Sequence, residues 1–218
     1  MWKTRSGDCF AASETGSTKR NPMIAAILLA AGESARMGRP KQLLDWGGTP
    51  LVTAQVETLL AAGCRPVVLV LGAHEQRVRS AIPVRADVQI ATNRQWSTGR
   101  ASSIRAGARA VPSSVDAVLV SSVDQPTRPE VVTRLAEALQ SNPTARIAVP
   151  RHDGRNGHPP LFDASLLPEL QSVTERHEGL REVRRRHAEH TMFVNVDDPI
   201  VTLNLNTHEA YQNALTLL

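Results

Sequence analysis

The chain is poor in aromatic residues: Phe, Trp and Tyr make up 3% of its 218 residues. A stacking platform for single-stranded nucleic acid needs several exposed rings, so that class is set aside. Cysteine is almost missing, with only Cys9 and Cys64. No CxxC or Cys/His spacing occurs, which argues against a zinc site and a disulfide framework. A reducing, cytoplasmic compartment is the expectation. The longest apolar run, Met23 to Ala31, is far too short to span a bilayer. Neither charge sign dominates: the net charge is +4, which suits an anionic small substrate. The densest basic run, Arg184-Arg185-Arg186, points in different directions on a helix and reads as a solvated face. Neither nucleic acid nor membrane is an expected partner. The dinucleotide fingerprint GxGxxG and the P-loop GxxxxGK[ST] are both missing, so redox chemistry has no motif behind it.

What is present is ordinary globular composition, 41% hydrophobic and 21% charged. Residues 1–22 are rich in Ser, Thr and Gly and read as a disordered tail. Met23 is a natural start for a single folded domain over 23–218. Lys19 and Arg20 before the apolar run imitate a signal peptide, but the glycine turn that follows favours a buried strand.

From there strands and helices alternate. Strands are predicted over 24–29, 66–71, 88–91, 117–120, 146–149, 192–194 and 202–205, with a short strand or hairpin over 158–162. Helices are predicted over 50–62, 74–81, 99–111, 129–139, 166–170, 178–188 and 207–217, with Thr207 as an N-cap. Continuous Val/Leu/Ile strands between helices imply a mostly parallel sheet covered on both faces, a three-layer Rossmann-like α/β domain. Ligands of such sheets sit at the carboxyl ends of the strands.

The strand ends carry the chemistry. Ala30-Ala31-Gly32-Glu33-Ser34-Ala35-Arg36-Met37-Gly38-Arg39-Pro40-Lys41 follows the first strand. Its small residues let backbone amides approach a phosphate, and Arg36 and Lys41 add charge. Gly99-Arg100-Ala101-Ser102-Ser103 can open a helix, whose N-terminus attracts anions; a plain serine cap is the bland alternative. Asp124, just after a strand, is placed either to hold Mg²⁺ beside phosphates or to cap the turn before Pro126. His158 is either a switchable donor or a structural ring.

These segments resemble the molybdenum cofactor nucleotidyltransferases. Leu29-Ala30-Ala31-Gly32 with Gly38-Arg39-Pro40-Lys41-Gln42-Leu43-Leu44 is similar to their cytidylyltransferase branch. Asn93 to Ser103 is similar to N-x-x-W-x-x-G-x-x-S-S, Asp124-Gln125-Pro126 to D-Q-P, Gly157-His158-Pro159-Pro160-Leu161-Phe162 to G-H-P-x-L-F, and Gly179-Leu180-Arg181 to G-A-R. The resemblance spans residues 23–216. It implies the fold of the nucleotide-diphospho-sugar transferases, with Leu29, Ala30, Ala31, Gly32, Ser34, Gly38, Lys41, Gly99, Ser102 and Ser103 around the nucleotide. It also implies Arg36, Lys41 and Asp124 as catalytic groups, and Gly157, His158, Pro159 and Arg181 around the acceptor. Asp124 and Asn206 would hold Mg²⁺. One departure stands out: the cytidylyl branch has D-x-D-T-P-E-D where this chain has Asn204-Leu205-Asn206-Thr207-His208-Glu209-Ala210. Asn offers a neutral oxygen in place of a charge, which implies weaker metal binding and leaves the base open between CTP and GTP.

The implied reaction is transfer of CMP from CTP to the terminal phosphate of a molybdopterin-type acceptor, with a molybdoenzyme as a further partner. A phosphate nucleophile is already ionised, so positioning and charge neutralisation carry the catalysis. No Ser/His/Asp or Cys/His cluster is present for covalent catalysis. The rival readings are guanylyl transfer from GTP, transfer to another small phosphate, and a non-catalytic cofactor carrier.

Overall fold

The computed structural model describes residues 21–34 and 38–217. The expected tail over 1–22 lies almost entirely outside the described residues, as does Arg36.

The strands are β1 (Ile24–Leu29), β2 (Asp45–Trp46), β3 (Thr49–Pro50), β4 (Val67–Leu71), β5 (Val88–Thr92), β6 (Ala117–Ser122), β7 (Ile147–His152), β8 (Arg155–Asn156), β9 (Leu161–Asp163) and β10 (Thr191–Asn195). The helices are α1 (Leu51–Ala61), α2 (Glu75–Arg79), α3 (Arg100–Ala110), α4 (Pro129–Ser141), α5 (Leu167–Leu170), α6 (Leu180–Arg186) and α7 (His208–Leu215). Thr207 caps α7 as expected, its Oγ1 accepting the Ala210 N–H at 3.1 Å.

The central sheet runs β10-β7-β9-β6-β1-β4-β5, with β8 paired to β7. Every pairing in it is parallel except those of β8 and β9, which run antiparallel to their neighbours. β1 shows why the sheet needs covering on both faces. All six of its residues are buried, and alternate side chains enter two different cores. Ile24, Ala26 and Leu28 join the layer containing α1, α4 and α7. Ala25, Ile27 and Leu29 join the layer containing α3 and α5.

The expected strand over 202–205 does not form. Pro199–Thr202 is a 3-10 turn, started by Pro199 and capped by Asp198, whose Oδ1 accepts the Ile200 N–H. Leu205 follows in a loop and is buried against the first core without strand pairing. β2 and β3 were not expected; they form a hairpin across Gly47 and Gly48, both at positive φ.

The strand order reverses beside β1, where β4 lies on one side and β6 on the other. β1 and β6 are in register from Ile24↔Ala117 to Leu29↔Ser122. Their carboxyl ends therefore deliver the glycine loop and Asp124 to the same edge, the switch point where α/β sheets open a crevice.

Candidate active site

A cavity of about 440 Å³ opens at this edge. Of the expected nucleotide residues, Leu29, Ala31, Gly32, Ser34, Lys41, Gly99 and Ser103 line it, together with Asp124 and Asn206. Lys41 is only 8% exposed although it follows a glycine loop. Its ammonium donates to Asn206 Oδ1 at 2.6 Å and to Asp124 Oδ2 at 3.3 Å. Three segments far apart in sequence thus converge on one charged group.

The loop that presents Lys41 is held by residues that motif reading passes over. Gln42 is buried, and its Nε2 donates to the Ala30 carbonyl at 2.7 Å and the Gly32 carbonyl at 2.8 Å. Ser34 sits in the left-handed region at φ 62, and its Oγ accepts the Lys41 N–H at 3.0 Å. Both side chains tie the end of β1 to the short 3-10 turn Lys41–Leu43.

Other expected residues turn away from the cavity. Ser102 is spent within the fold: its Oγ donates to the Gln95 and Gly99 carbonyls and accepts from Asn93 Nδ2. Ala30 packs into the first core, and Gly38 is exposed with φ +65. Gly99 suits its place as N-cap of α3 at φ 117, where an added Cβ would come within 2.5 Å of the Glu175 side chain. The α3 N-terminus is not bare: Glu175 Oε1 accepts the Ala101 N–H.

A second cavity of about 570 Å³ adjoins the first, and Arg100 lines both. His158 and Arg181 line this one as expected, joined by Arg184, Gln125 and Asn204. Gly157 and Pro159 are buried beneath it; a Cβ on Gly157 would meet the Val201 carbonyl oxygen at 2.5 Å. Burial pushes the His158 pKa down to about 4, and the nearby Arg100 and Arg184 charges push the same way. The ring is neutral at physiological pH rather than a cation.

A Mg²⁺ ion asks for one or two carboxylates, completed by phosphate oxygens and water. Asp124 and Asn206 offer one carboxylate and one carboxamide oxygen around the same point. No cluster of three or more His, Cys, Asp or Glu side chains among the described residues could hold a metal alone. The donor set therefore fits an ion that arrives with a triphosphate.

Residues 26–192 match the MobA-like NTP transferase domain. The chain belongs to that family. It carries the nucleotidyltransferase domain on the fold of the nucleotide-diphospho-sugar transferases. It is 37% identical over 176 residues to nicotine blue oxidoreductase from Paenarthrobacter nicotinovorans, covering 76% of this chain and 83% of that protein. It is 24% identical over 187 residues to molybdenum cofactor cytidylyltransferase from Escherichia coli, covering 82% and 94%. The crystal structure of Rv0371c from Mycobacterium tuberculosis superposes with a TM-score of 0.76 at 25% identity, covering 90% of this chain and all of that one. A manganese complex of Rv0371c superposes with a TM-score of 0.70 at 26% identity over the same shares. No helix among the described residues is long and apolar enough to cross a membrane.

Proposed function

We propose that this nucleotidyltransferase moves CMP from CTP to the terminal phosphate of a molybdopterin-type acceptor, using Mg²⁺ and releasing pyrophosphate. The observation that carries this reading is the pair of adjoining cavities. One holds Lys41, Asp124 and Asn206, and the other is bordered by Arg100, Arg181 and Arg184. The triphosphate takes the first and the phosphorylated acceptor the second.

An acceptor phosphate oxygen attacks the α-phosphorus; the bond from that phosphorus to the β-bridging oxygen breaks, and pyrophosphate leaves with the electron pair. The nucleophile is ionised at neutral pH, so no protein base is required. The chain's own work is positioning and charge neutralisation. Backbone amides at Gly32 and Ser34 cradle phosphate oxygens. Lys41 gives up its contacts with Asp124 and Asn206 to meet the charge growing on the leaving pyrophosphate. Asp124 and Asn206 would hold Mg²⁺, which when bound supplies Lewis-acid stabilisation of the phosphates. His158, neutral, orients the acceptor by hydrogen bonding.

The test is incorporation of α-labelled CTP, GTP, ATP and UTP into molybdopterin acceptor by the purified chain. CTP should give labelled product and pyrophosphate. A clear preference for GTP would replace the cytidylyl assignment with a guanylyl one, and no incorporation from any triphosphate would remove nucleotidyl transfer.

A second reading is favoured by the 37% identity to nicotine blue oxidoreductase and by the neutral Asn206 beside Asp124. Here the chain is an oxidoreductase whose substrate fills the second cavity. NADH or NADPH oxidation in the presence of nicotine blue, without any triphosphate, would select it.

A further inference from the structure

We propose that Arg100 is a catalytic residue that bridges the two reacting phosphates, binding the nucleotide α-phosphate and the acceptor phosphate at once. The proposal rests on the nucleotidyl-transfer reading and adds the group that lets two anions meet.

Arg100 is the first residue of α3 and the residue shared by the walls of both cavities. Its guanidinium forms no hydrogen bond or ion pair among the described residues, although the charges of Asp124 and Glu175 both act on it. Lys41 cannot fill this place. It lies in the first cavity only, tied to Asp124 and Asn206. Arg181 and Arg184 lie in the second only. An acceptor phosphate approaching a triphosphate meets like-charge repulsion, and the cation that offsets it must stand between them. A guanidinium offers five donors in a planar fork, enough to engage oxygens of two phosphates together. A lysine ammonium is a point charge and serves one side better.

Glu175 bears on the same spot. Its carboxylate takes the Ala101 N–H, one residue along from Arg100, and borders the second cavity.

The experiment measures coupling between two anions, independently of turnover. Wild type, Arg100→Ala and Arg100→Lys are titrated with inorganic phosphate, with and without a saturating α,β-methylene analogue of CTP and Mg²⁺. In wild type the analogue should leave the phosphate Kd within about threefold. In Arg100→Ala the analogue should weaken phosphate binding tenfold or more, a coupling within the range usual between sites. Arg100→Lys should fall between. Circular dichroism and melting check that the variants fold; Arg100 is exposed, so they should. Equal coupling in wild type and Arg100→Ala overturns the proposal. In the transfer assay, Arg100→Ala should lose at least a hundredfold in kcat, with CTP binding weakened several-fold at most. A variant with normal kcat also overturns it. A tenfold antagonism that appears only in Arg100→Ala, in a chain that transfers no nucleotide, would support the bridge and defeat only the transfer reading.

Discussion

Lys41 Nζ donates to Asn206 Oδ1 at 2.6 Å, joining residues 165 positions apart. Asn206 is a neutral carboxamide, so it holds the lysine without adding a charge. The ammonium therefore has one full charge partner, Asp124, rather than two.

Removing that ammonium should cost more in rate than in stability. Lys41→Ala is expected to lower kcat about a hundredfold or more, by the scale for deleting one preorganised stabilising group, about 2.7 kcal/mol or above. Because Lys41 is buried and bonded, it should also lose about 2 kcal/mol of stability, a fall of roughly 4–8 °C in melting temperature. Steady-state kinetics and a thermal melt check both; a near-normal kcat would leave Lys41 without a catalytic role.

Asn206→Asp should add a second carboxylate beside Asp124. The Mg²⁺ concentration for half-maximal activity is expected to fall several-fold, since a charged oxygen holds the ion more tightly than a neutral one. Asp124→Ala should abolish the metal response with the fold intact. An Asn206→Asp chain with an unchanged Mg²⁺ response would show that residue 206 does not meet the ion.

Gln42→Leu tests the loop. The variant leaves the Ala30 and Gly32 carbonyls without their donor. The expected result is at least tenfold weaker triphosphate binding by calorimetry, with β1 and the core unaffected. Unchanged affinity would mean that the loop keeps its shape without Gln42.

His158 makes a pH prediction. Its folded pKa of about 4 lies below the 6.5 of the unfolded chain. The unfolded state binds the proton first, so stability is full above 6.5 and declines as pH falls toward 4. For a partly exposed ring the loss is on the order of 2 kcal/mol. His158→Gln should flatten this acid limb in urea titrations between pH 4.5 and 7. An unaltered limb would place the titration elsewhere.

Gly107 reverses a familiar rule. Ala in a helix is usually better than Gly by about 1 kcal/mol. Here an added Cβ would lie 2.4 Å from Ile27 Cγ2 and 2.9 Å from Val70 Cγ2, both in the buried sheet. Overpacking costs about 1–3 kcal/mol and wins, so Gly107→Ala should unfold at lower urea. A higher urea midpoint would show that α3 shifts freely.

The buried strands were legible because continuous apolar runs such as Val67–Leu71 permit little else. The run at 202–205 misled because burial in a loop leaves the same apolar signature as burial in a strand; Pro199 was the missed signal. The hairpin of β2 and β3 was readable from Gly47-Gly48. Side-chain traffic was not. That Ser102 turns inward depends on Asn93 and Gln95, and that Arg100 faces two cavities depends on the packing of α3. A motif fixes which residues approach a site, while neighbours fix which way each one points.

The in-register pairing of β1 with β6 has a consequence for motion. The first cavity hangs from the two central, fully buried strands, whose amides should exchange with solvent only on global unfolding. The second cavity is bordered by Glu175 in the short turn Glu175–His177, whose residues are all exposed and can open locally. One half of the crevice keeps its shape while the other adapts, so under the proposed reaction acceptor choice can drift through the 175–184 segment without disturbing the half assigned to the triphosphate.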